Sequence, residues 1–330
     1  MHVPIQDMTI VIRSAGERTL PACHALVREL VGRAGGNPDR QVVVIAERPF
    51  AAAVRRTFEI GLEERREWVV GMDADVMLLE DGLERIGAMC ACADGATFTV
   101  ATLILCKMYG GFCFMGIHGY PRRLLERALG VMDGGGIAES LRPESAVARA
   151  MGERGFKAFA PPVPVGIHDF EQWRRHIYLK MRLRARRWAA DAGGGSDTSF
   201  ADHLTFVDRM ASGDSDYLVA SWGLRDGQKD ALAVDAPARY DWDCADPGLA
   251  ERMDGAGIDE KAPWVSGAGA LAERVIVGHD YALDQRTPRW IRERFGFASG
   301  AAQALQRIGV VPAGVGTVGR AWSHGLAGAA

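Results

Sequence analysis

The chain opens with apolar runs separated by amphipathic stretches. Residues 8–12 read as a first strand, and 13–18 as a polar turn. A helical pattern then places Leu20, Leu26, Val27, Leu30 and Val31 on one side. Residues 41–46 form a second apolar strand, ended by Glu47, Arg48 and Pro49, and a helix runs on to about residue 66. The run from Trp68 to Leu79 is apolar except for Asp73 and Asp75, and five of the six residues before Asp73 are apolar or Gly. That density predicts a strand buried on both faces. Strand, helix, strand, helix, strand at this spacing predicts a parallel sheet with right-handed crossovers, whose ligands gather at the strands' carboxyl ends. Arg13, Glu47 and Asp73 fall at three such ends.

Further along, the pattern predicts a helix over 80–91, a strand over 97–108, a break at Gly110 and Gly111, and an apolar piece over 112–117. A helix is expected from about Pro121, a loop at 134–136, a helix opened by Pro143, Glu144 and Ser145, and a proline-punctuated extended stretch ending in His168 and Asp169. The segment 173–188 interleaves seven Lys and Arg with Ile177, Leu179, Met181 and Leu183. Residues 193–197 look like a linker. Beyond them periodicity weakens, the best-formed pieces being 270–277 and a helix near 288–295, and 309–330 is expected to be poorly ordered.

Composition narrows the function. A 48% apolar fraction suits a globular protein with a substantial core, and a net charge of −3 supplies no field for nucleic acid. The six cysteines show no Cys-x-x-Cys spacing, and several lie inside apolar runs, which favours a reducing cytoplasm. Residues 1–7 have neither a basic start nor an apolar core, so no signal peptide is expected. The longest apolar run, 96–106, is too short to span a bilayer.

The acidic doublet is the strongest chemical signal. A buried unpaired carboxylate costs several kcal/mol, so Asp73 and Asp75 are expected where the strand leaves the sheet, with a cation between them. Mn²⁺ or Mg²⁺ prefers such oxygen ligands together with a substrate's phosphates. The plainer alternative is that the pair caps the helix starting near Glu80.

The order of motifs resembles the family-2-like glycosyltransferases of the GT-A fold: an acidic end after the second strand, Asp-x-Asp after the third, a Gly-rich turn, an acid opening a helix and a late His. The resemblance covers about residues 8–170 and implies an α/β, GT-A-type (Rossmann-like) mixed, mainly parallel sheet flanked by helices, with a largely helical C-terminal extension. It divides the chain into a nucleotide-sugar-binding catalytic domain over 1–170, a basic amphipathic helix over 171–192 and an accessory region over 193–330.

The resemblance also implies roles. Asp73 and Asp75 look like the pair that holds the metal–diphosphate, with His168 completing the metal site. Glu47 would accept from a ring N–H of the base, Arg13, Ser14 and Gly16 would line the same pocket, and Arg65 would reach toward base or phosphates. Gly110 and Gly111 would flank the donor sugar, Gly allowing close backbone approach. Glu144 resembles the catalytic base, although the usual Glu-Asp pair is here Pro143-Glu144; a Glu in a first helical turn also favours the macrodipole without catalysis. His118 lies near the loop and is given no proton-transfer role. The implied activity is a metal-dependent transfer from a UDP- or GDP-sugar to a glycan or lipid-linked acceptor, in polysaccharide or glycoconjugate biosynthesis, inverting if Glu144 is the base and with retention left open.

Two other classes stay open. A haloacid-dehalogenase-like phosphatase also places Asp-x-Asp after an apolar strand, and Asp214 and Asp216 faintly resemble its later acidic motif. A GT-A-like protein that binds nucleotide-sugar without turnover is the other. Segment 173–188 reads either as a peripheral membrane contact at the inner face or, more commonly, as a charged face whose apolar residues pack inward. The region after 190 is expected to shape the acceptor site or a homo-oligomer contact.

Overall fold

The computed structural model describes residues 2–134, 136–137, 140, 142–190, 200–230, 246–264 and 266–280. The expected linker at 193–197, the helix near 288–295 and the stretch 309–330 lie outside these residues. In chain order the elements are β1 (Met8–Arg13), α1 (Leu20–Arg33), α2 (Pro38–Gln41), β2 (Val42–Ile45), α3 (Phe50–Glu63), β3 (Trp68–Asp73), β4 (Val76–Leu78), α4 (Gly82–Ala91), β5 (Thr97–Cys106) and β6 (Gly111–Pro121). There follow α5 (Leu125–Asp133), α6 (Pro143–Gly152), β7 (Lys157–Phe159), β8 (Pro164–His168), α7 (Arg174–Ala190), α8 (Phe200–Ala211), α9 (Ser215–Asp230), α10 (Pro247–Gly255) and α11 (Ala268–Asp280).

The strands form one mixed, mainly parallel sheet in the order β2-β1-β3-β6-β5-β8-β4, with β7 beside β5. β1 pairs in parallel with β2 and β3, and β5 with β7 and β8. β6 runs antiparallel between β3 and β5, and β4 antiparallel to β8. β1, β2, β3, β5 and β8 therefore all end on the same edge. Period-two alternation assigns the faces. Met8, Ile10, Ile12, Trp68, Val70 and Met72 join one apolar cluster with α1 and α4, whereas Val11 and Val69 join another with Phe58, Leu125 and Val147. The flanking helices thus cover both sides of the sheet, as the apolar runs predict.

The strand from Trp68 leaves the sheet at Asp73, as expected, and the apolar residues after the acidic pair form β4, which pairs at the far edge with β8. Pro121 ends β6 and caps the helical turn Arg122–Leu124 that leads into α5. The region of weak periodicity contains α8, α9 and α10, the last capped by the Asp246 side chain, which accepts from Leu249 N. These helices do not stand apart, since Ile177, Met181, Val207, Tyr217 and Leu224 belong to the same cluster as the sheet residues.

Candidate functional site

The carboxyl edge is organised by the register of β1 and β3. Arg13 and Asp73 are aligned partners at the ends of those strands, on the face shared with Val11 and Val69. Ala74 N donates to Arg13 O at 2.9 Å, and buried Thr19 Oγ1 donates to Ala74 O at 2.8 Å, so the acidic turn is pinned from two sides. Arg13 is only 3% exposed and carries two carboxylates: Nη2 ion-pairs with Asp73 Oδ1 at 2.8 Å, and Nη1 donates to Glu144 Oε1 at 2.5 Å. Tyr120 Oη donates to the same Glu144 oxygen at 2.9 Å, and His118 Nε2 lies 3.7 Å from Glu144 Oε2.

These contacts separate the two acids. Burial opposes the charge on Glu144, but Arg13 and His118 overcome it and hold the carboxyl down at about 2. Burial pushes Asp73 up to about 7; Arg13 opposes this, while the charges of Asp75 and Glu144 add to it. His118 is lowered by burial, so its imidazole is neutral at pH 7.

Asp75 turns to a second cluster. It is 2% exposed, and its Oδ2 accepts from Lys180 Nζ, which also donates to Asp169 Oδ1 at 2.6 Å. His168 stands between the same two acids, with Nε2 3.4 Å from Asp75 Oδ1 and Nδ1 3.1 Å from Asp169 Oδ2. Burial opposes charge on His168, but Asp169 and Asp75 raise it well above its ordinary value. One ligand atom from each of Cys106, His168 and Asp169 falls within 4.8 Å of the others. Asp169 and Glu171 adopt φ of 64° and 62°, an uncommon conformation for non-Gly residues that is found disproportionately at functional sites. Arg18 braces this turn by donating to Glu171 Oε2 and to Glu171 O, each at 2.9 Å.

The other expected residues divide. Ser14 and Gly16 lie in the loop after β1, where Ser14 N donates to Ile45 O at 2.8 Å and Gly16 N to Ser14 Oγ at 3.1 Å. Gly16 has a φ of 92° with open space where a Cβ would stand. Glu47 is exposed beyond the end of β2, beside that loop, and Arg48 Nη2 donates to Ala15 O at 3.2 Å.

Arg65 is a correction. It precedes β3, at the amino end of the strand whose carboxyl end holds Asp73, about 17 Å away at 3.3 Å per residue. It cannot share their pocket. Gly110 is another: the space a Cβ would need is filled by the Phe206 ring of α8, so this glycine serves packing rather than approach to a sugar. Gly111 is the first residue of β6, in register with Cys106. The basic segment is also redirected. Ile177, Tyr178, Met181 and Leu183 are buried, Arg182 pairs with Asp230 and Asp246, and Arg186 approaches Asp230. The segment is a packing helix, the plainer of its two readings. Among the described residues, no helix is long and apolar enough to cross a membrane.

Four residues at these clusters escaped the sequence reading. In the sequence Lys180 is submerged in the basic run, Tyr120 in an apolar strand, and Asp169 stands out only as a neighbour of His168. Glu17 accepts from Ser14 Oγ at 2.8 Å and from Ala15 N at 2.7 Å, and burial together with the charge of Asp75 raises its pKa. Only the alternation of β6, which puts His118 and Tyr120 on one face, could have signalled any of them.

No family model matches the chain, and neither does any curated protein. Solved structures do. A glycosyltransferase involved in the glycosylation of the major capsid of PBCV-1 is 14% identical, over 49% of this chain and 94% of that one, with a TM-score of 0.36. A cytidylyltransferase from Leptospira borgpetersenii serovar Hardjo-bovis is 14% identical, over 62% and 95%, at 0.33. A mannose-1-phosphate geranyltransferase from Thermus thermophilus is 12% identical, over 52% and 78%, at 0.31. At such TM-scores these likenesses carry no functional inference, and the mixed α/β fold stands on the sheet's own connectivity.

Proposed function

We propose that this chain is a glycosyltransferase that moves a sugar from a UDP- or GDP-linked donor to a glycan or lipid-linked acceptor, in the cytoplasm and with Mn²⁺ or Mg²⁺. The observation that carries the reading is the convergence of Arg13, Asp73, Asp75, Glu144 and His168 at the shared carboxyl edge of β1, β3 and β8. Such an edge is where open α/β sheets take their ligands. The free thiols of Cys23, Cys90, Cys92, Cys106 and Cys113 agree with a reducing compartment.

Asp75 and His168 offer donors suited to a divalent ion, although among the described residues the side chains whose ligand atoms lie within 4.8 Å of one another are Cys106, His168 and Asp169, and Asp73 faces Arg13 instead. Asp75 Oδ1 is buried and accepts no hydrogen bond, and Asp73 leaves one oxygen outside its ion pair with Arg13. Asp73, Asp75 and His168 would hold the ion, His168 giving up its proton to do so. When bound, the ion supplies positive charge for the departing diphosphate. Arg13 sets the geometry of Asp73 and Glu144 together. Glu144, ionised and with Oε2 not committed to Arg13, is the group proposed to take the acceptor hydroxyl's proton. The imidazole of His118 lies beside that oxygen to share it.

Thermal-shift and calorimetric titration with UDP, GDP and their sugars, with and without Mn²⁺, tests the proposal. Asp75→Ala should abolish Mn²⁺-dependent donor binding. Unchanged affinity in the presence of metal would remove the site. Release of phosphate from p-nitrophenyl phosphate would replace this reading with the phosphatase.

A further inference from the structure

Asp75, Asp169, His168 and Lys180 form a closed ring. Each carboxylate presents one oxygen to His168 and the other to Lys180: Asp75 through Oδ1 and Oδ2, Asp169 through Oδ2 and Oδ1. The ammonium of Lys180 is thus set between two carboxylates. Both carboxylates are almost wholly buried, at 2% and 1% exposure, where an uncompensated charge is strongly unfavourable. Something positive must therefore stand between them when no metal does. Lys180 does so from the middle of α7, whose position is fixed independently by buried Ile177, Tyr178 and Met181. Its ammonium sits at the end of a flexible four-carbon stem, which can move while the helix stays in place.

We propose that Lys180 is a resident counter-ion of the acidic corner, and that its ammonium and a divalent ion are alternative partners of Asp75. The inference rests on the metal site proposed above. A dication placed beside an ammonium already bonded to the same carboxylate meets like charge at close range in a poorly solvated site. The lysine must leave for the metal to enter. Asp75 Oδ1, buried, accepting no hydrogen bond and 3.4 Å from His168 Nε2, is the oxygen that faces the incoming ion. Lys180 thus keeps the corner closed in the metal-free chain and sets how readily metal enters.

The test is Mn²⁺ binding to the full chain, followed by electron paramagnetic resonance and calorimetry, for the wild type, Lys180→Gln and Lys180→Arg. The glutamine variant should bind Mn²⁺ about tenfold more tightly or better, and the arginine variant no more tightly than the wild type. Equal affinity in wild type and a folded glutamine variant overturns the proposal while leaving the metal site intact. No Mn²⁺ binding by any of the three, even with UDP present, overturns both. A measurement on the wild type alone covers the case in which the variants do not fold. Acetylation of Lys180, read by mass spectrometry, should be slow without metal and several-fold faster with Mn²⁺ and UDP. Protection that persists at saturating Mn²⁺ overturns the proposal.

Discussion

Arg13 decides the character of the site at the scale of single residues. A buried guanidinium between two carboxylates orients both, and it drives their affinities for protons apart. Glu144 is ionised at any physiological pH, which is the form a base needs, yet the same guanidinium lowers its basicity. Glu144→Gln tests the balance. It should leave donor affinity nearly unchanged and cut transfer by roughly 10²–10⁴-fold, the usual reach of general-base catalysis. Equal loss of binding and transfer, measured by calorimetry and a turnover assay, would make Glu144 a structural partner of Arg13 instead.

At the scale of elements, the helical extension is joined to the sheet by two kinds of contact. One is close packing of α7 against α9. A Cβ on Gly223 would strike Tyr178 O, and one on Gly227 would strike Arg182 O, both backbone atoms that cannot swing away. Gly227→Ala should therefore cost about 1–3 kcal/mol, the range for overpacking, measured as a lower urea midpoint at unchanged slope. The other contact is electrostatic. Asp216, at the start of α9, accepts from Lys107 Nζ of the β5–β6 connection and from Lys261 Nζ, each at 2.6 Å. Burial alone would raise its pKa, but the two lysines outweigh this and hold it below the ordinary aspartate value. A depressed carboxylate contributes stability that is present above its unfolded pKa and is lost as pH falls through the folded one. Asp216→Asn should therefore be less stable than wild type at pH 7, the gap narrowing below about pH 4. Urea midpoints at pH 7, 4 and 3 read it directly, and a gap independent of pH would sever Asp216 from that linkage.

For the molecule as a whole, the largest apolar cluster is shared by β1, β3, β5 and β8 and by α7, α8, α9 and α11. The carboxyl-edge chemistry is built the same way, because Lys180 of α7 completes the ring begun by Asp75 and His168. A chain cut after residue 170 should then fail to fold cooperatively. It would expose the sheet face that α7 and α11 cover and lose the cation facing Asp75 and Asp169. Binding of a hydrophobic dye and loss of near-ultraviolet circular dichroism would report this, whereas a sharp thermal transition would mean that 1–170 is autonomous.

Much of the first half was legible because its signals are local. Apolar runs bounded by turn residues specify β1, β2, β3 and β5, and proline marks the start of α6. An acidic doublet after a dense apolar strand could hardly sit anywhere but at a strand end, since burying those charges elsewhere is prohibitive. Local pattern could not say what each acid faces. Asp73 and Asp75 are one residue apart, yet the turn between them sends one toward Arg13 and Glu144 and the other toward His168 and Lys180, partners more than 90 positions away along the chain in two of those four cases. The positions of Arg65 and Gly110 are hidden from local pattern for the same reason. Which end of a strand a loop occupies, and which ring fills the space above a glycine, depend on contacts between distant segments. Sequence alone thus determined the strand ends and the acids placed on them; only the tertiary packing decided their counter-charges, because compensation of a buried charge is a property of the whole enclosing surface.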